Sequence, residues 1–150
     1  MDWLRKSAGA AFALRGTVYV NSGQFDRAIE EFNEAVRLNP KLAGAFVRRG
    51  IAYANKGEFD LAIADINEAI RLNPKDGVAF CERGSVYGMK GQHDEAITDF
   101  SEAIRIDPRD AVAYYERVWA YAKKGKYSEA AADIDEAIRL SPKFAKRSVR

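Results

Sequence analysis

One cysteine, Cys81, and one histidine, His93, are all that this 150-residue chain carries of the residue types behind most metal sites and many nucleophilic ones. A single thiol excludes an intrachain disulfide and a cysteine metal cluster. No second His or Cys completes a zinc site with His93, and a Ser-His-acid set would have to use it as its sole base. No glycine-rich loop of the phosphate-cradling type is present. The chain also has little charge of either sign in excess. Its 24 Lys and Arg against 22 Asp and Glu leave a net charge of +2, too small to imply a nucleic acid or a membrane surface as partner. No apolar run reaches the ~18 residues of a spanning helix, so no membrane insertion is expected. Arg5 and Lys6 precede a short apolar stretch that faintly resembles a secretion signal, but Arg15 interrupts it and the same residues fall in register with the pattern below. These scarcities lead us to expect no catalysis, no cofactor and no metal, and a reducing, cytoplasmic compartment.

Proline is equally sparse, and here the scarcity is informative. The four prolines, Pro40, Pro74, Pro108 and Pro142, lie 34 residues apart. A period of that length marks a repeat array. Aligned on the prolines, the chain divides into units 9–42, 43–76, 77–110 and 111–144, flanked by 1–8 and 145–150. Each unit opens on an aromatic residue (Phe12, Phe46, Phe80, Tyr114) followed by Arg-Gly, or by Arg117-Val118 in the last. A tyrosine, a turn glycine and two alanines then recur in order, among them Tyr19, Gly23, Ala28 and Ala35 in the first unit.

Each unit reads as two helices. The aromatic, the glycine and the tyrosine fall on one helical stripe. Gly23, Gly57, Gly91 and Gly125 end the first helix. Asp26, Asp60, Asp94 and Ser128 stand where an N-cap of the second is expected. Proline stops the second helix through the residue before it. Gly16, Gly50 and Gly84 are expected to face Ala28, Ala62 and Ala96, allowing close approach; Val118 breaks that rule and threatens overpacking unless the last hairpin splays.

The period and these residues resemble the tetratricopeptide repeat (TPR) family over residues 9–144, with arginine in place of the family's leucine before the glycine. The resemblance implies an all-α solenoid of four helix-turn-helix units in a right-handed superhelix, whose first helices line a concave groove that binds a protein or peptide. Carried over unit by unit, the groove includes Asn21; Val47, Ile51 and Asn55; Cys81, Ser85 and Met89; and Tyr115, Trp119 and Lys123. These positions vary where the scaffold repeats. Trp119 and Tyr115 are anchors by size, although packing on the C-terminal segment is an alternative for Trp119. Asn21 and Asn55 either bond a partner's backbone or simply end their helices. The carboxylate clamp of chaperone-tail-binding members is not matched, since Arg48 is its only suitable residue and Glu82 would repel an anion. An apolar or amphipathic segment is therefore the expected ligand.

Arg15, Arg49, Arg83 and Arg117 are expected to pair with the row Glu31, Asp65, Asp99 and Asp133 or with the next unit's acids, as surface pairs that set register more than stability. The alternatives are solvated arginines or an anion-binding row. His93, in the turn position held elsewhere by Phe25, Phe59 and Tyr127, reads as an aromatic filler. Residues 1–8, with Trp3 and Leu4, read as the end of a preceding helix or as a cap over the apolar Ala11, Leu14 and Val18. That face supports a second reading: a structural module that self-associates end to end, a homo-oligomer, or a part of a larger assembly. Lys123, Lys124, Lys126, Lys143, Lys146, Arg147 and Arg150 make the C-terminal end basic, but without a basic stripe in the groove nucleic acid is not the expected partner.

Overall fold

The computed structural model describes residues 1–146, and among these every regular element is helical. The chain divides into two compact bodies, residues 1–74 and 75 onward. The first body contains α1 (Asp2–Asn21), α2 (Phe25–Leu38), α3 (Ala43–Asn55) and α4 (Phe59–Leu72). α1 packs on α2, α3 on α4, and α2 on α3. The second body repeats this with α5 (Gly77–Met89), α6 (His93–Ile106), α7 (Ala111–Lys123) and α8 (Tyr127–Leu140), and adds a short 3-10 helix, Pro142–Lys146, against α8. The fold is an all-α solenoid of four helical hairpins.

The punctuation follows the residues that suggested it. Gly23, at φ 75°, takes the left-handed conformation that only glycine adopts freely. Around it the amide of Gln24 donates to the Tyr19 carbonyl at 2.8 Å and that of Gly23 to Val20 at 3.0 Å. This is a Schellman cap, and the same bonds recur at Gly57, Gly91 and Gly125. The residue before each proline is extended, as at Asn39 (φ −139°, ψ 90°) and Ser141 (φ −147°, ψ 98°), because the proline ring excludes helix there.

The N-caps differ from expectation. α2, α4, α6 and α8 start after Gln24, Glu58, Gln92 and Lys126, with no side-chain capping bond. The Schellman turn consumes two residues and delivers the chain straight into the helix, so Asp26, Asp60, Asp94 and Ser128 lie inside the first turn. There the carboxylates act on the helix dipole rather than as caps. The side-chain caps are Asp76, bonded to the Val78 and Ala79 amides at 3.1 and 3.4 Å, and Asp110, bonded to Val112 and Ala113 at 3.1 and 3.2 Å.

The core of each hairpin is built from alanines and one large side chain. In the first body Ala28, Phe32, Ala35, Ala45 and Ala52 are buried together; in the second, Cys81, Ala96, Phe100, Ala103, Ala113 and Ala120. The close-approach glycines face the large residues rather than chiefly the alanines. A Cβ on Gly16 would lie 2.8 Å from the Phe32 ring, and one on Gly84 2.8 Å from the Phe100 ring. Val118 is buried, and the residue in the facing position is Ile134, smaller than a phenylalanine. Both border a cavity of about 370 Å³, so the extra bulk is absorbed at the edge of open space.

The first helix of the first unit starts earlier than residue 9 and takes in residues 2–8. They continue α1 without a break for its first two turns, leaving Trp3, Leu4, Leu14 and Val18 exposed. With no proline or glycine turn before Gly9, nothing in the sequence stops the helix there. At the other end the 3-10 helix crosses the expected boundary at residue 144, and Phe144 is buried. Arg147 and Arg150 of the basic tail lie outside the described residues.

Candidate functional site

In the second body, α5, α6 and α7 enclose an open cavity of about 290 Å³. Ser85, Met89, Trp119 and Lys123, four of the residues expected to bind a partner, line it together with Phe100, His93 and Glu116. Met89 and Trp119 are each 58% exposed, so two large apolar side chains present most of their surface to solvent beside a preformed hollow. Trp119 also borders the second cavity, with Tyr115 and Phe144.

Other expected residues are placed differently. Val47 and Cys81 are buried at 5% and 9% exposure and contribute to packing, not to an accessible face. Burial pushes the Cys81 thiol up to about 12, with the charges of Asp110, Glu82 and Glu116 adding to the effect. The protonated thiol is the less reactive form, and it is the one favoured under neutral conditions. Tyr115 stacks on Phe144 with ring centroids 4.6 Å apart, so the short C-terminal helix covers it, while Trp119 stays open. Ile51 and Ser85 are half-buried, and the Ser85 hydroxyl donates to the Cys81 carbonyl at 3.2 Å. Asn21 and Asn55 are exposed at the last residues of α1 and α3; the Asn55 amide donates to the Ile51 carbonyl at 2.9 Å, which is a helix-end bond.

The arginine row forms as expected, but it is not a set of surface pairs. Arg49, Arg83 and Arg117 grip Asp65, Asp99 and Asp133 respectively, each through Nε and Nη2 at 2.7–2.8 Å. The three aspartates are at most 7% exposed. Arg15 makes a single 2.7 Å bond to Glu31 and is itself exposed. Each guanidinium also lies over the aromatic three residues earlier, as Arg49 over Phe46 at 5.5 Å. The spacing of aromatic and arginine at i and i+3 on one helix was a sequence signal for this contact. With a carboxylate along one edge and a ring over a face, Arg49, Arg83 and Arg117 are committed to packing, while Arg15 stays exposed.

Other charges pair between hairpins or lie beside rings. Lys124 pairs with Asp94, and Lys143 lies 5.4 Å from the centre of the Phe144 ring. Among the described residues no group of three His, Cys, Asp or Glu could hold a metal ion, and no helix is long and apolar enough to cross a membrane. His93 opens α6, half-buried at the edge of the first cavity.

The tetratricopeptide-repeat family model matches residues 14–77 and 81–143. The chain belongs to the tetratricopeptide-repeat family. Solved TPR structures agree with it: MamA is 31% identical, with a TM-score of 0.81, over 92% of this chain and 81% of that one. YrrB is 28% identical at a TM-score of 0.78, over 95% and 74%. The Thermus thermophilus TPR protein TTC0263, 22% identical at a TM-score of 0.84 over 95% and 78%, shares the fold. No curated protein sequence matches the chain. The TPR fold supports a protein-interaction scaffold in general terms, and proteins of this family are generally non-catalytic.

Two TPR first-helix residues acquire a weight that their sequence positions did not suggest. Glu82 was informative only as a mismatch to an anion clamp, and Glu116 stands one repeat beyond it. Burial raises the Glu82 carboxyl above its ordinary value, with the nearby Glu116 charge adding to it, and burial raises Glu116 as well.

Proposed function

We propose that this TPR protein is a non-catalytic scaffold that binds an apolar or amphipathic segment of a protein partner on its first-helix faces. Met89 and Trp119 are its anchors. The observation that carries the reading is the pair of half-exposed side chains bordering the open cavity between α5, α6 and α7. Exposed aromatic residues beside a hollow concentrate binding energy, since they bury large areas without much loss of side-chain freedom. YrrB, described as a TPR protein with an unusual peptide-binding site, supports a peptide as the ligand class. The reading includes a cytoplasmic location, to be checked by cell fractionation. The double variant Trp119→Ala, Met89→Glu tests the surface: partner capture is lost while circular dichroism retains the helical signal. Capture at undiminished affinity overturns the reading.

A second reading, end-to-end self-association, is favoured by one observation. Leu14 and Val18 are 68% and 58% exposed on one face of α1. Light scattering over a wide concentration range decides it: self-association raises the mass and Leu14→Arg abolishes the rise, whereas a constant monomer mass removes the idea.

A further inference from the structure

Carboxylates drawn away from solvent in this protein are almost all answered. Asp65, Asp99 and Asp133 hold arginines, and Asp76 and Asp110 accept backbone amides. Glu34, Glu68, Glu102 and Glu136 pair with the arginine three residues on, Glu31 with Arg15 and Glu58 with Lys56. Among the described residues, Glu82 and Glu116 are the only half-buried or buried carboxylates with neither an ion pair nor a hydrogen bond. They stand one repeat apart, on α5 and α7, and Glu116 borders the cavity that Met89 and Trp119 flank. Holding two partly desolvated like charges together without a counter-ion costs stability. A cation supplied from outside would relieve that cost.

We propose that the occupant of the Met89–Trp119 cavity is a basic amphipathic segment, inserting an apolar side chain there and setting a Lys or Arg against Glu82 and Glu116. The proposal rests on the groove reading above and adds the charge of the ligand. The equivalent positions in the first body are Leu14 and Arg48, so the acidic character belongs to the second body. Lys123 also lines the cavity, seven residues beyond Glu116 and hence about 10 Å along α7. The seat therefore has an acidic and a basic end, and the bound segment lies with its cation toward Glu116. The raised carboxyls are consistent with this, because a bound cation returns them to the ionised form.

The test uses the full chain with Trp3→Phe, which leaves Trp119 as the sole tryptophan reporter. Two synthetic amphipathic peptides with the same leucine positions are titrated, one carrying lysines on the polar face and the other glutamates. The lysine peptide binds about tenfold or more tightly, and the advantage disappears in Glu82→Gln, Glu116→Gln. The protein's own net charge of +2 opposes that preference, so non-specific attraction cannot supply it. Equal binding of the two peptides, or a lysine preference surviving the double variant, overturns the cation seat and leaves the groove reading standing. If neither peptide moves the Trp119 emission, both fail.

Discussion

The Arg117 guanidinium closes on the Asp133 carboxylate with two parallel bonds, Nε at 2.7 Å and Nη2 at 2.8 Å, and its remaining nitrogen, Nη1, donates to Ser101 Oγ at 3.0 Å. One side chain on α7 thus ties α8 to α6, the hairpin before it. Arg49 does the same between Asp65 and Asn33. The arginine that replaces the family's leucine links a TPR hairpin to its predecessor through directed bonds instead of apolar contact. Asp133→Ala leaves a half-buried guanidinium unpaired and is expected to destabilise the protein by about 3–5 kcal/mol. Arg117→Lys loses the fork and part of that stability. Arg15→Ala, at an exposed single bond, changes the urea midpoint little. Chemical denaturation of the three variants measures the order.

Two glycines on α5 are expected to respond in opposite directions to the same change. At Gly84 a methyl group would meet the buried Phe100 ring at 2.8 Å, and Gly84→Ala destabilises by about 1–3 kcal/mol. At Gly88 a Cβ meets nothing within 4 Å, so Gly88→Ala stabilises by up to about 1 kcal/mol through helix propensity. Thermal unfolding of the two variants side by side reads the sign.

Glu82 and Glu116 carry carboxyls raised from an ordinary value of 4.5, so the folded chain holds these protons more tightly than the unfolded one. Their contribution to stability therefore falls as pH rises from the ordinary value through the raised one, and its cost is fully present above both. Glu82→Gln raises the melting temperature at neutral pH and has no such effect below the ordinary carboxylate range. A pH series of melting curves for the variant and the parent checks the window.

The Cys81 thiol, raised to about 12 by burial first and by neighbouring carboxylates second, is protonated at neutral pH. It is expected to react slowly with a thiol reagent in the native state and promptly in denaturant. Reaction under native conditions at the rate of an exposed cysteine contradicts the packing of α5.

Much of this was legible along the chain because its signals are local. Pro40 and Gly23 act on their own and adjacent backbone angles, so the hairpins and their period followed from single residues and spacing. The pairing of Arg49 with Asp65 was legible too, since both recur at the same phase of every unit. What needed the fold was depth and company. Val47 and Cys81 share a helix stripe with Ile51 and Ser85, and periodicity alone does not separate an accessible side chain from one closed over by its neighbours. Tyr115 and Trp119 are one turn apart on α7, yet Phe144 stacks on the first and the second remains open. Turn chemistry and helix periodicity are properties of a few consecutive residues, so the four hairpins could be read along the chain. Burial and ion pairing depend on side chains that packing brings from other helices, so the fold was needed to show which first-helix residues face solvent and which two carboxylates, among the described residues, go unanswered.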